Sequence, residues 1–103
     1  MTARDRLFLL VPEYADPDYP GASYYCRDCI IIEGLLAAFP ERAEGLEIVR
    51  VPWPKPRAVL VEAFGEENQN LPALAFHDGG FTNEIGPLLE ALHKRHQFPK
   101  EHP

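Results

Sequence analysis

The sequence predicts an α/β domain: a mixed four-stranded sheet covered by three helices, in the order β-α-β-α-β-β-α. Three observations predict it. Short apolar runs alternate with longer stretches of helical period, which implies a parallel β-α-β unit. A turn signal, Asp78-Gly79-Gly80, separates the last two strand candidates and implies an antiparallel hairpin. The chain of 103 residues is 46% hydrophobic and 25% charged, which fits a single globular domain (1–103) and argues against disorder.

Each element has its own signal. Residues 7–11 (Leu7-Phe8-Leu9-Leu10-Val11) are uniformly apolar and stop at Pro12, as a fully buried strand does. Residues 12–23 hold three prolines (Pro12, Pro17, Pro20) and three acids with no period of either kind, so they read as a loop of a length that often carries function. Residues 27–39 place Ile30, Ile31, Leu35 and Leu36 at helical spacing, and Pro40 lies just beyond. Residues 46–51 read as a second strand, ended by Pro52-Trp53-Pro54. Pro56 suits the first turn of a second helix, which runs to about Phe64 with Gly65 just past its end. Residues 73–76 and 81–85 are the hairpin strands. Gly86-Pro87 opens a last helix with Leu88, Leu89 and Leu92 on one face. The core is therefore placed at about 7–96, and residues 97–103 are read as a polar, frayed tail.

Composition narrows the function. Sixteen acidic residues against ten basic ones leave a net charge of −6, which disfavours binding to nucleic acid or to an anionic membrane, since both demand basic side chains. The first apolar run is too short for a secretory or membrane-spanning segment, so a cytoplasmic location is expected. The sequence leaves the oligomeric state open.

Cys26-Arg27-Asp28-Cys29 stands where a loop enters the first helix. A helix N-terminus offers unpaired N–H groups and partial positive charge, which favour a thiolate. Cys26 lies at the mouth, and Cys29, one turn in, faces the same side. The spacing suits two-step exchange, with Cys26 attacking a substrate disulfide and Cys29 resolving the mixed disulfide. The competing readings are half of a zinc site, or inert cysteines on a scaffold.

With this motif in place, the chain resembles the thioredoxin-like superfamily over about residues 7–96. The apolar strand, the cysteine motif, the Leu71-Pro72 step and the Gly-Gly hairpin stand in that superfamily's order, and the element order is that of its glutaredoxin-like branch. Tyr19-Pro20-Gly21, Tyr25-Cys26, Glu33-Gly34-Leu35-Leu36, Pro52-Trp53-Pro54 and Gly65-Glu66-Glu67-Asn68-Gln69 also look like a bacterial family of small thioredoxin-like proteins with no assigned function.

The resemblance implies that Pro72 is cis and that the Leu71 backbone pairs with a bound peptide or glutathione like an added strand. It implies a second binding segment at Asn83 and Glu84, although neither residue type agrees with the relatives; the plainer reading is that Asn83 caps the last helix. Tyr25 adjoins the nucleophile and joins the substrate-binding set. Arg27-Asp28 matches neither thioredoxin nor glutaredoxin between the cysteines, so the direction of electron flow stays open.

The expected function is thus thiol–disulfide oxidation or reduction on a protein disulfide or a glutathione mixed disulfide, with glutathione as co-substrate and no other cofactor. The alternative is a non-catalytic binding or scaffold module that uses the tyrosine-bearing loop (Tyr14, Tyr19, Tyr24, Tyr25); equally, those tyrosines could pack the loop onto the domain. No metal is assigned. His93 and His96 are more than sixty residues from the cysteines, and Lys94-Arg95 between them suggests a solvated face. Trp53, between two prolines, reads as a packing residue.

Overall fold

A computed structural model describes residues 4–103. Four strands, β1 (Asp5–Leu10), β2 (Leu46–Val51), β3 (Ala73–Ala75) and β4 (Phe81–Thr82), form one mixed sheet in the order β2-β1-β3-β4. Strand β1 pairs parallel with β2 (Asp5↔Leu46 through Leu10↔Val51) and antiparallel with β3 (Arg6↔Ala75 through Phe8↔Ala73). The short antiparallel pair β3–β4 closes the sheet. Four helices accompany it: α1 (Arg27–Ala38), α2 (Pro40–Ala43), α3 (Ala58–Phe64) and α4 (Ile85–His96).

Alternation along β1 divides the core. Leu7 and Leu9 pack with Ile32 and Leu36 of α1 and Leu88 and Leu92 of α4, whereas Phe8 packs with Val51, Leu60 of α3 and Ala73. Because β1 is buried on both faces, it reads as a continuous apolar run rather than an alternating one.

Several expectations need correction. Among the described residues there are four helices, not three. Proline cannot continue α1 but suits a first helical turn, so the chain breaks at Phe39 (φ −128°) and restarts at Pro40 as α2. Pro56 is not in a helical turn: the Lys55–Pro56 bond is cis, Arg57 is the N-cap, and α3 starts at Ala58. Of the three consecutive isoleucines, only Ile32 faces the core, in a stripe with Cys29 and Leu36; Ile30 and Ile31 are exposed. Strand β4 ends at Thr82 rather than at residue 85, because Asn83 leaves the ladder and Ile85 begins α4.

The tail is not frayed at its start. Gln97 adopts the left-handed conformation (φ 60°), which turns the chain back after α4, and the Phe98 N–H donates to the Leu92 carbonyl. Phe98 is thereby buried, edge-on to Phe39.

Strand β1 also begins earlier than its apolar run, at a buried carboxylate. Asp5 is 1% exposed and accepts from Arg95 (2.8 and 3.1 Å), His96 Nε2 (2.8 Å) and the His77 N–H (2.9 Å). Burial alone would raise its carboxyl, but hydrogen bonds from Arg95, the His77 N–H and His96 outweigh it and hold the group far below the usual carboxylate range. The end of α4 is thus not a solvated face: Arg95 and His96 tie it to the first residue of β1, while Lys94 alone of the trio is exposed. His93 turns instead to the Phe98 carbonyl, with Nδ1 2.8 Å away.

Candidate active site

The opposite end of β1 carries the cysteines. Cys26 is the N-cap of α1, and its Sγ accepts the Cys29 N–H at 3.3 Å. Cys26 is half-buried and Cys29 is buried; both are free thiols. Placing Cys29 three residues into a helix turns its side chain inward onto the sheet, where the Leu10 N–H donates to its Sγ at 3.5 Å. Burial pushes the Cys29 thiol up to about 12; the Leu10 N–H works against the shift, and Cys26 and Asp28 add to it.

Residues 12–23 are a loop, as predicted, but one fastened across its base. Tyr14 and Tyr24 exchange backbone hydrogen bonds (3.0 and 2.7 Å) and form an isolated antiparallel bridge. This holds Tyr14 against the Trp53 ring, stacked with centroids 5.9 Å apart. Burial raises the Tyr14 phenol, the charges of Cys26 and Cys29 add to the rise, and Arg57 opposes it. The four loop tyrosines therefore divide: Tyr14 packs inward, while Tyr19 and Tyr25 are 66% and 64% exposed. Trp53 packs as expected, and its carbonyl also receives Arg57.

Arg57 was not legible in the sequence. It is 8% exposed, with Nε and Nη2 donating to the Trp53 carbonyl (3.0 and 2.7 Å) and Nη1 to the Gln69 carbonyl (2.6 Å). Its own backbone N–H donates to Gln69 Oε1 at 2.7 Å. Burial lowers the guanidinium's pKa, and the charges of Tyr14, Cys29 and Cys26 oppose that. In the run Pro54-Lys55-Pro56-Arg57 nothing separates the buried cation from exposed Lys55; only the packing of Trp53 does.

The remaining site residues gather at the same end of the sheet. The Leu71–Pro72 peptide is cis. Continuing the β1–β3 register beyond Phe8↔Ala73 brings Leu71 level with Leu10, the residue bonded to Cys29. Leu71 packs against both core clusters. One strand further out, Asn83 pairs with Asn70: Asn83 Nδ2 donates to Asn70 Oδ1 (2.7 Å), and Asn70 Nδ2 donates to the Asn83 carbonyl (2.9 Å). The pair fastens the segment before Leu71 to the segment before α4. Asn83 does not cap α4; Glu84 occupies the N-cap position, and its exposed side chain makes no capping bond. Tyr25 stands exposed beside Cys26.

Among the described residues, no group of three or more His, Cys, Asp or Glu side chains is placed to hold a metal ion. None of their helices is long and apolar enough to cross a membrane.

Over residues 4–100 the sequence matches a family described as Protein of unknown function (DUF3088). The chain belongs to the DUF3088 family. No curated protein and no solved structure matches it. In this DUF3088 chain a half-buried sulfur stands at a helix N-cap with a buried sulfur one turn on.

Proposed function

We propose that the chain is a thiol–disulfide oxidoreductase of thioredoxin-like, glutaredoxin-type architecture, working in the reducing cytoplasm. The observation that carries the reading is the asymmetry of the two thiols. Cys26 caps α1 within reach of solvent, while Cys29 lies buried beneath it with its N–H on Cys26 Sγ. In the reaction, the Cys26 thiolate attacks a substrate disulfide R–S–S–R′, forms Cys26–S–S–R and releases R′–S⁻. Cys29 then loses its proton to solvent or to the departing thiolate and attacks Cys26 Sγ. The Cys26–Cys29 disulfide forms and R–S⁻ leaves, two electrons having passed from protein to substrate. Two molecules of a small thiol such as glutathione reset the pair.

The register that brings Leu71 level with Leu10, the residue bonded to Cys29, supports docking of a peptide or glutathione backbone along Leu71 and Pro72, with exposed Tyr25 flanking the entry. Asn83 and Glu84, at the head of α4, extend this surface. The test is exchange with glutathione mixed disulfides: wild-type protein should turn over, and Cys26→Ser should not. Full activity in Cys26→Ser would refute the reading.

The alternative, a scaffold that binds partners through the loop, draws support from exposed Tyr19 and Tyr25. Under it, deletion of residues 16–21 would abolish binding, while alanine at both cysteines would not.

A further inference from the structure

We propose that the outer face of α1 docks a second copy of this chain, the two α1 helices crossing antiparallel at Gly34. A helix that covers a sheet normally turns charged residues to water, and one that is apolar all round has a second surface to bury. Helix α1 is of the latter kind. Its inner face carries Cys29, Ile32 and Leu36, yet Ile30 and Ile31 on the outside are 37% and 45% exposed. Gly34, Ala37 and Ala38 complete that outer face. Beyond the first turn the helix has one charged residue, Glu33, and it is turned to Arg50 of β2 (2.8 and 2.9 Å). The apolar surface continues from α1 to α4 as a groove of about 490 Å³, with Leu35, Leu89 and Phe98 among its lining.

The order of residues along the helix selects the occupant. About a two-fold axis at Gly34, positions equally far on either side of it meet. Ile31 then faces the partner's Ala37, Ile30 faces the partner's Ala38, and Arg27 reaches toward the partner's Glu41, exposed in α2 just past the break at Phe39. Large side chains meet small ones, and a cation meets an anion. Arg27 is the most exposed cation of the described ion pairs, held only to its neighbour Asp28 at 3.7 Å, while the last turn of α1 has no basic residue of its own. An arginine arriving from the partner suits that negative helix end. At the crossing, a Cβ on Gly34 would meet no atom within 4 Å, so the two backbones can approach closely.

One face thus supplies both halves of each pair, as an interface between identical chains requires. A parallel crossing would instead set Arg27 beside its own copy. At the α4 side of the groove, Glu90 is paired with Lys94 (3.6 Å) and Lys100 (3.9 Å), so this rim carries both signs. Two twelve-residue helices side by side measure about 18 Å by about 20 Å, the footprint of a small, reversible interface.

The test is sedimentation velocity of the full chain over a concentration series, with a thiol reductant present so that no intermolecular disulfide forms. The average mass should rise from 11.7 kDa toward twice that value. Gly34→Gln should raise the dissociation constant by at least about tenfold, because its side chain would occupy the crossing. The same side chain enters open space in the monomer and is a better helix former than glycine, so that loss is not a loss of folding. Arg27→Glu should weaken association, and Arg27→Glu combined with Glu41→Arg should restore it. A wild-type chain that stays monomeric throughout the series would overturn the proposal. So would a Gly34→Gln dimer as tight as wild type, or a double charge exchange no tighter than Arg27→Glu alone.

Discussion

Leu10, the last residue of β1, donates its backbone N–H to the sulfur of Cys29, nineteen residues on, at 3.5 Å. This bond joins the end of the central strand to the first turn of α1 and fixes the inner thiol beneath the outer one. The same burial that places Cys29 there pushes its thiol up to about 12, so at neutral pH it is protonated. Resolution of a Cys26 mixed disulfide should therefore accelerate about tenfold per unit between roughly pH 6 and 9, following the rising thiolate fraction. Stopped-flow release of the second thiol measures it. A rate flat across that range would contradict the burial argument.

Stability of the reduced protein follows the opposite sense of pH. The folded value of Cys29 lies above that of an unfolded thiol, about 8.5. Its contribution is thus fully present below that value and is lost as pH rises toward about 12. Urea midpoints of the reduced chain should fall with alkaline pH, and Cys29→Ala should reduce that slope.

The two cysteines should fail in different ways. Cys26→Ser should abolish exchange, because the remaining sulfur is buried. Cys29→Ser should halt after the first step and accumulate a Cys26 mixed disulfide, visible as the added mass of one thiol in the intact protein.

At the far end of the sheet, Asp5 joins β1 to the last turn of α4 through Arg95 and His96. Asp5→Asn leaves Arg95 and His96 without their buried carboxylate and should cost about 3–5 kcal/mol in urea unfolding. The pH dependence has a definite sign. The folded carboxyl lies below its unfolded value of about 3.9, so its stabilisation is present above that pH and is lost progressively as pH falls further. Asp5→Asn should flatten the acid limb of the stability profile.

Phe98 closes the core after Gln97 reverses the chain. Phe98→Ala should destabilise by about 3–5 kcal/mol, the usual cost of emptying a buried phenylalanine site. An effect below about 1 kcal/mol would show that the tail does not seal α1 against α4 in solution.

What the sequence disclosed and what it withheld have physical reasons. Strand β2, the body of α1 and the Gly-Gly hairpin carry local signals (apolar runs, an N-cap cysteine, turn glycines), and each lies where those signals put it. The cysteine motif was legible for the same reason: its residue types and spacing are local. The misses are contacts between distant segments. Asp5 looks like a solvated charge preceding a strand until Arg95, ninety residues on, is brought against it. Phe98 looks like part of a polar tail, because nothing nearby reveals that Phe39 awaits it. Arg57 belongs with them, since its guanidinium is held by the carbonyls of Trp53 and of Gln69, twelve residues on. Ile30 and Ile31 erred the other way: in a run of three isoleucines, helix geometry admits only one to the core.

The most direct test of the central claim is equilibration of the full chain across a graded glutathione redox series, followed by acid quench, alkylation and mass spectrometry of Cys26 and Cys29. The account predicts a reversible Cys26–Cys29 disulfide with a midpoint between about −120 and −270 mV, the span of known exchange proteins, with glutathione adducts confined to Cys26. Two thiols that stay reduced and unmodified throughout the series would contradict it.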